Sequence, residues 1–448
     1  MSYISIIGGN RLEGEISLQG SKNATLPILA ACVLCDGPVE LFNCPDISDV
    51  RDLLYALSCA GVKSKLTGHR LELDGSDAVP FFFGPELAGK TRGGVLLLGA
   101  FLGRFFEAGM AYPGGCVIGA RPIDLHCKVL KELRVITEER EDGVFVKGRP
   151  RGGKVVLPYP SVGATENALL AAVRAEGTTK IYGAAREPEV AELCRFLQKA
   201  GAKIEGVGTS VLRIEGVSRL HGISYTLPGD RIVAGTYLAT AAMTGGDVIL
   251  RNTTGVCMKG IFESLRVAGL TVYRTGDAMR LRASGKRLPV KMLKTAPFPA
   301  FPTDMQSQMT ALLTLAAGES VICETVFESR FGIVGELQKM GADVSCDKQC
   351  IFIRGGKKLH GATVTATDLR TGAALVMAGL AAEGESRVYG SEFIARGYEN
   401  ICGTLSLVGA KMAQTEEYEE KTENRVWQQK DGNCETEQDT SSALRQFV

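Results

Sequence analysis

The strongest regularity in the chain is a recurring stretch that is apolar on nearly every side. It reads NATLPILAACVL from Asn23, RGGVLLLGAFLGRF from Arg92 and GATENALLAAVRA from Gly163. It returns as RIVAGTYLATAAM from Arg231, DMQSQMTALLTLAA from Asp304 and RTGAALVMAGLAA from Arg370. The spacing is about 70 residues, so the chain is an internal repeat of six related units. A helix without a polar face belongs inside a protein, which predicts six buried helices. Each is followed by a β-like run, such as Gly246-Asp247-Val248-Ile249-Leu250 or Ser320-Val321-Ile322-Cys323, and then by a second helix. The second helices stop at Ala60-Gly61, Ala200-Gly201, Ala268-Gly269, Met340-Gly341 and Val408-Gly409. Glycine past a helix end takes a left-handed backbone without steric cost. The second unit departs, with Glu132-Leu133-Arg134 where the glycine is expected. Repeats of this length and α/β content are too long for a helical solenoid, and two bodies of three units each fit them better.

The six buried helices begin with a distinctive set: Lys22-Asn23, Arg92, Ser161-Val162-Gly163, Asp230-Arg231, Asp304 and Asp368-Leu369-Arg370. A helix N-terminus presents free N–H groups and partial positive charge, and a neighbouring cation strengthens its hold on an anion. The plainer reading makes Asp304 and Asp368 helix caps and the cations surface charges. Repetition at equivalent positions favours the anion site. A second candidate is the loop Pro113-Gly114-Gly115-Cys116-Val117-Ile118-Gly119-Ala120-Arg121-Pro122-Ile123-Asp124-Leu125-His126. Its glycines predict an exposed loop, and Arg121 would favour the Cys116 thiolate. An incidental cysteine in a Gly-rich turn is the competing reading.

Composition narrows the partners. Lys plus Arg number 51 against 50 acidic residues, which leaves no general attraction for nucleic acid or an anionic membrane. No basic-then-apolar leader and no long apolar run is expected to direct the chain out of, or into, a membrane. Thirteen cysteines, an odd number lying mostly in apolar stretches, are expected to be buried free thiols of a reducing cytoplasm. Cys32 and Cys35 form a CxxC with no second ligand pair nearby, so no zinc site is expected. From 418 to 448 the sequence is polar and reads as a disordered tail, in which Trp427 is a candidate anchor for a partner.

The loop PGGCVIGARPIDLH strongly resembles the active-site loop of the enolpyruvyl transferases that act on UDP-N-acetylglucosamine. The resemblance runs from about residue 5 to 415 and includes GSKNATLPIL, SVGATEN, AAREPE, LPGDRIVAGTYL, PTDMQ, FESRF, DLRTGAAL and ARGYE, in order. The related shikimate-pathway transferase shares the fold but lacks the loop cysteine. The resemblance implies two inside-out α/β domains, at 22–229 and at 1–21 with 230–417, with the active site between them. It implies phosphoenolpyruvate and UDP-N-acetylglucosamine as substrates, no metal or organic cofactor, and a cytoplasmic monomer. It assigns phosphoenolpyruvate to Lys22, Asn23, Arg121, Arg370 and Arg396, with Cys116 as acid and Asp304 as the base. For the UDP-sugar it marks Arg92, Arg121, Pro122, Ile123, Asp124, Leu125, Ser161, Val162, Gly163, Asp304 and Val326, with Asp49, Asp230, Arg231 and Asp368 in support. Ser48 and Pro160 stand where this family usually has lysines, and Val129 to Arg134 diverges. Those departures leave a different nucleotide sugar, or a non-catalytic sugar-nucleotide binder, as the alternative.

Overall fold

The computed structural model describes residues 2–90, 92–113, 118–119, 123–283 and 286–416. Cys116, Arg121, Pro122 and the 418–448 segment with Trp427 therefore lie outside the described residues.

The six apolar stretches are helices, at Lys22–Cys32, Leu96–Phe105, Val162–Ala172, Arg231–Met243, Gln306–Leu313 and Leu369–Ala381. Their side chains are almost all buried, as an all-round apolar surface requires. Around them lie six four-stranded sheets with one recurring pattern. In the third unit, Lys154–Val156 runs parallel to Thr178–Tyr182, which pairs antiparallel with Val211–Glu215, which pairs antiparallel with Lys203–Glu205. Alternate residues of these strands face inward, so the sheets cover the helices and turn a polar face to water.

Buried apolar residues fall into two clusters. One is drawn from residues 26–227. The other joins 4–18 to 232–410, because Ser2–Ile7 pairs with Glu385–Tyr389 and Lys411–Glu416, and Glu13–Ser17 pairs with Asp247–Arg251. The chain thus passes twice between the clusters, and the two passages touch. Gly20 and Gly229 form an antiparallel bridge, Ser21 N donates to Pro228 O at 2.9 Å, and Asp230 N donates to Gln19 O at 3.0 Å. No side chain fits there, since a Cβ on Gly20 would stand 1.8 Å from the Asn43 carbonyl oxygen.

Helix caps follow the halves of the chain. Ser21 and Ser161 cap through their hydroxyls, which accept from Ala24 N at 3.3 Å and Ala164 N at 3.4 Å. Asp230 and Asp368 cap through carboxylates, the first accepting from Ile232 N and Val233 N and the second from Arg370 N and Thr371 N. Asp304 is different. It lies in a 3-10 turn, Thr303–Met305, and its carboxylate turns to side chains instead of capping.

One expectation about the cysteines is overturned. Cys323 and Cys350 stand directly opposite each other on antiparallel strands, Gly318–Cys323 and Cys350–Gly355, and are joined as a disulfide. Opposed positions bring two Cβ atoms within bridging reach, which no count of cysteines could reveal. Cys32, Cys35, Cys44, Cys127 and Cys194 are buried free thiols, and burial pushes Cys35 up to about 12.

The second helices end as the glycines predict, with φ of 89°, 109°, 80°, 84° and 103° at Gly61, Gly201, Gly269, Gly341 and Gly409. The divergent unit keeps the same geometry without the glycine: Arg134 takes φ 61° after the helix Asp124–Glu132. A side chain in that region carries a steric cost, partly offset by the extra unfolded-state freedom of glycine. Arg134→Gly is therefore expected to stabilise the chain by about 0.5–1 kcal/mol, seen as a higher denaturant midpoint. A lower midpoint would contradict this account of the turn.

Candidate active site

Where the buried helices begin, cations and carboxylates alternate. Lys22 Nζ lies 2.7 Å from Asp49 Oδ2, and Arg396 Nε lies 2.8 Å from Asp49 Oδ1. Asp49 is in the first turn of the helix Ser48–Cys59, where a carboxylate is favoured, and its side chain is almost wholly buried. Burial alone would raise its pKa, but Lys22 and Arg396 outweigh that and hold it below the ordinary value. The Lys22 ammonium is affected oppositely. Burial and the charges of Arg370 and Arg396 lower its pKa, and only Asp49 opposes them.

A second carboxylate organises the other side. Asp304 accepts from Arg370 Nη2 at 2.9 Å, from Arg330 Nη1 at 3.0 Å and from Asn23 Nδ2 at 3.4 Å. Both arginine side chains are 6% exposed, whereas that of Asp304 is 21% exposed and so still reaches water. Burial pushes the Asp304 pKa up, but Arg370, Arg330 and Arg231 prevail and hold it well below the usual carboxylate range. It is a fixed anion, able to orient a donor and poor at keeping a proton.

Asp230 links the two halves of the site. One oxygen caps the Arg231–Met243 helix while the other accepts from Lys22 N at 3.0 Å. A single carboxylate therefore serves two helix N-termini at the point where the chain crosses. Arg231 binds Glu189 at 3.0 Å. Beside that pair lies a cavity of ≈ 190 Å³ lined by Ser21, Arg186, Glu189, Gly229, Arg231 and Phe298, which is off the Asp304 cluster.

The structure thus brings Lys22, Asn23, Asp49, Asp304, Arg370 and Arg396 into one network. The positions marked for a nucleotide sugar sit on neighbouring helix ends. Arg92 begins the 3-10 turn Arg92–Val95, Ile123 precedes the helix opened by Asp124 and Leu125, and Ser161 to Gly163 open their own helix. Those last two helices are tied by Asn167 Nδ2 to His126 Nδ1 at 2.8 Å, with Gly163 packed against the His126 ring. Val326 N donates to Glu324, and the described edge of the cysteine loop meets the same region, Ile118 O accepting from Ser329 N at 3.2 Å. Arg330, Glu324 and Glu189 were not singled out by the sequence. Arg330 appears there only as one charge in FESRF, and nothing in that spacing discloses that it and Arg370 grip the same carboxylate.

Removing the charge of Asp49 without changing its shape isolates its effect on Lys22. In Asp49→Asn the Lys22 ammonium loses the carboxylate paired with it while burial and two arginines remain. Its NMR-monitored titration is expected at lower pH than in the unaltered protein. An unchanged or higher titration would show that Asp49 does not hold the charge.

Comparison with known proteins agrees with this architecture. The EPSP synthase (3-phosphoshikimate 1-carboxyvinyltransferase) family model matches residues 6–405. A UDP-N-acetylglucosamine 1-carboxyvinyltransferase 2 of Caldanaerobacter subterraneus subsp. tengcongensis is 42% identical over 92% of this chain and 100% of its own length. A UDP-N-acetylglucosamine 1-carboxyvinyltransferase of Dichelobacter nodosus is 43% identical over 93% of this chain and 100% of its own. Among solved structures, the enolpyruvyl transferase NikO from Streptomyces tendae superposes with a TM-score of 0.84 at 26% identity, covering 92% of this chain and 99% of that one. EPSP synthase from Acinetobacter baumannii, at 20% identity and a TM-score of 0.74 over 93% of this chain and 100% of its own, shares the fold. The chain is an enolpyruvyl transferase by fold and belongs to the UDP-N-acetylglucosamine 1-carboxyvinyltransferase family.

Proposed function

We propose that this enzyme transfers the enolpyruvyl group of phosphoenolpyruvate to the 3′-hydroxyl of UDP-N-acetylglucosamine and releases phosphate, the first committed step of peptidoglycan synthesis. The observation that carries the reading is the convergence of Lys22, Arg370 and Arg396 around Asp49 and Asp304. Phosphoenolpyruvate brings a phosphate and a carboxylate, and fixed cations in a partly dehydrated cleft suit both. Arginine offers a planar pair of donors to either group, while Lys22 acts as a point charge. Arg121 would add to this set from the loop.

The chemistry is addition followed by elimination. The sugar oxygen bonds to C2 of phosphoenolpyruvate as its proton leaves, and C3 gains a proton to become a methyl group. The tetrahedral product then loses phosphate from C2 and a proton from C3, which restores the double bond as an enol ether. Cys116 is the proposed acid over C3. Asp304 orients the sugar hydroxyl as a hydrogen-bond acceptor, and its low pKa suits it to passing a proton on rather than holding one. Arg92, Ile123 to Leu125, Ser161 to Gly163 and Val326, with Arg121 and Pro122, form the proposed nucleotide-sugar side. Asp49, Asp230, Arg231 and Asp368 fix the helix starts. The two bodies, 22–229 and 1–21 with 230–417, are the proposed domains closing on the substrates. A monomer is the proposed state, and no described helix is long and apolar enough to span a membrane. The cytoplasm, which holds both substrates, is its proposed location.

Ser48 and Pro160 favour one alternative, a different nucleotide sugar. Ser48 opens its helix behind Ile47, which makes no side-chain cap, so position 48 itself adds no cation to those that Lys22 and Arg396 bring to Asp49.

Phosphate release is expected only when phosphoenolpyruvate and a nucleotide sugar are both present, fastest with UDP-N-acetylglucosamine in a panel of such sugars. No release from folded protein would end the reading, and a faster competitor would redirect it. An epoxide phosphonate is expected to add one equivalent to Cys116 in intact-mass and peptide analysis; an adduct on another cysteine would remove Cys116 from its role.

A further inference from the structure

A buried carboxylate with no role in the reaction described above lies two hydrogen bonds from Arg330, beside Asp304. Glu324 follows the strand Gly318–Cys323, is 0% exposed, and accepts hydrogen bonds at both carboxylate oxygens. Its Oε1 accepts from Thr295 Oγ1 at 2.8 Å, Val326 N at 2.8 Å and Phe327 N at 3.1 Å. Its Oε2 accepts from Thr303 Oγ1 at 2.8 Å. The Thr303 hydroxyl has one hydrogen, and with that directed to Glu324 its lone pairs are left for Arg330 Nη1, which donates at 2.8 Å. The same Nη1 donates to Asp304 at 3.0 Å. On the other arm, the turn fixed through Val326 and Phe327 carries the Phe327 ring, 4.7 Å from the Arg330 guanidinium. Glu324 therefore reaches Arg330 by two routes, a hydroxyl relay and an aromatic face.

We propose that Glu324 is a positioning residue for Asp304: through Thr303 and the 326–327 turn it sets the Arg330 guanidinium, and Arg330 sets the orientation of the Asp304 carboxylate. The proposal rests on the transfer reading given above, in which Asp304 orients the attacking hydroxyl. Glu324 need not touch a substrate. Its effect is on how often Asp304 stands correctly when the sugar hydroxyl attacks, which belongs to turnover rather than to substrate binding.

Glu324→Gln tests this with little change of shape. The amide oxygen satisfies most donors at the Oε1 position, which leaves the NH₂ facing Thr303. Thr303 must then accept from that amide, its hydrogen loses the carboxylate that fixed it, and the lone pair presented to Arg330 is no longer held in one direction. E324Q is expected to lose roughly 10- to 100-fold in kcat, with KM for phosphoenolpyruvate changed by less than about 3-fold. Thr303→Val breaks the same relay without altering Glu324 and is expected to lose a similar factor, while T303S, which keeps the hydroxyl, loses less. Because both changes act on one path, the double variant should be no slower than the slower single one. Wild-type kcat in E324Q, or losses that multiply in the double variant, would overturn the proposal. Should the unaltered protein release no phosphate, the transfer reading fails first, and a crystal structure of E324Q decides the network. Arg330 turned away from Thr303 supports the relay, and Arg330 still bonded to both Thr303 and Asp304 refutes it.

Discussion

Like charges gathered at one place set the terms for this molecule. Two unit charges 4 Å apart repel by about 4 kcal/mol at an effective dielectric of ~20, and here Lys22, Arg370 and Arg396 share one pocket with Arg330 and Arg231 close behind. Helix N-termini add their own partial positive charge. The arrangement holds because carboxylates are threaded through it: Asp49 between Lys22 and Arg396, Asp304 between Arg330 and Arg370, Asp230 against the Lys22 backbone. Breaking a buried pair by removing one partner typically costs about 3–5 kcal/mol, so each carboxylate is a structural necessity before it is anything chemical. Interleaved in this way, cations and carboxylates stand together in a largely buried setting.

The architecture was largely legible because burial leaves a mark in sequence. Helices apolar on every face had to lie inside, and glycines at fixed places had to end the second helices; both expectations match the backbone. Arg134 shows the limit of that reasoning. The residue type changed while the left-handed turn did not, since neighbouring units already fix the path of the chain. The Cys323–Cys350 pair shows another limit, because strand register is a property of two distant segments and of neither alone.

The site was legible in its positions and much less in its wiring. The cations at helix starts were visible as a repeated feature, and the carboxylates could be named by resemblance. Which carboxylate answers which cation was not visible. Asp304 occupies a position where Asp230 and Asp368 act as caps, yet a 3-10 turn redirects it to Arg330 and Arg370. Glu324 left no sign at all, since an acidic residue after a strand is ordinarily a solvated one. Its two hydroxyl partners, Thr295 and Thr303, lie between about 20 and 30 residues away, and only the folded chain brings them to it.

The double passage between the two clusters also bears on how the protein is made. Ser2–Ile7 is synthesised about 400 residues ahead of its partners, Glu385–Tyr389 and Lys411–Glu416. At roughly 5–20 residues per second, that opening strand waits on the order of 20–80 s without its sheet. The 26–227 cluster meets no such delay, except for its first sheet, which needs Ser224–Thr226 for an edge. Nascent chains therefore pass through a long interval in which the 26–227 body can be finished while this strand is unpaired, with Ile4 and Ile6 on one face and Tyr3, Ser5 and Ile7 on the other.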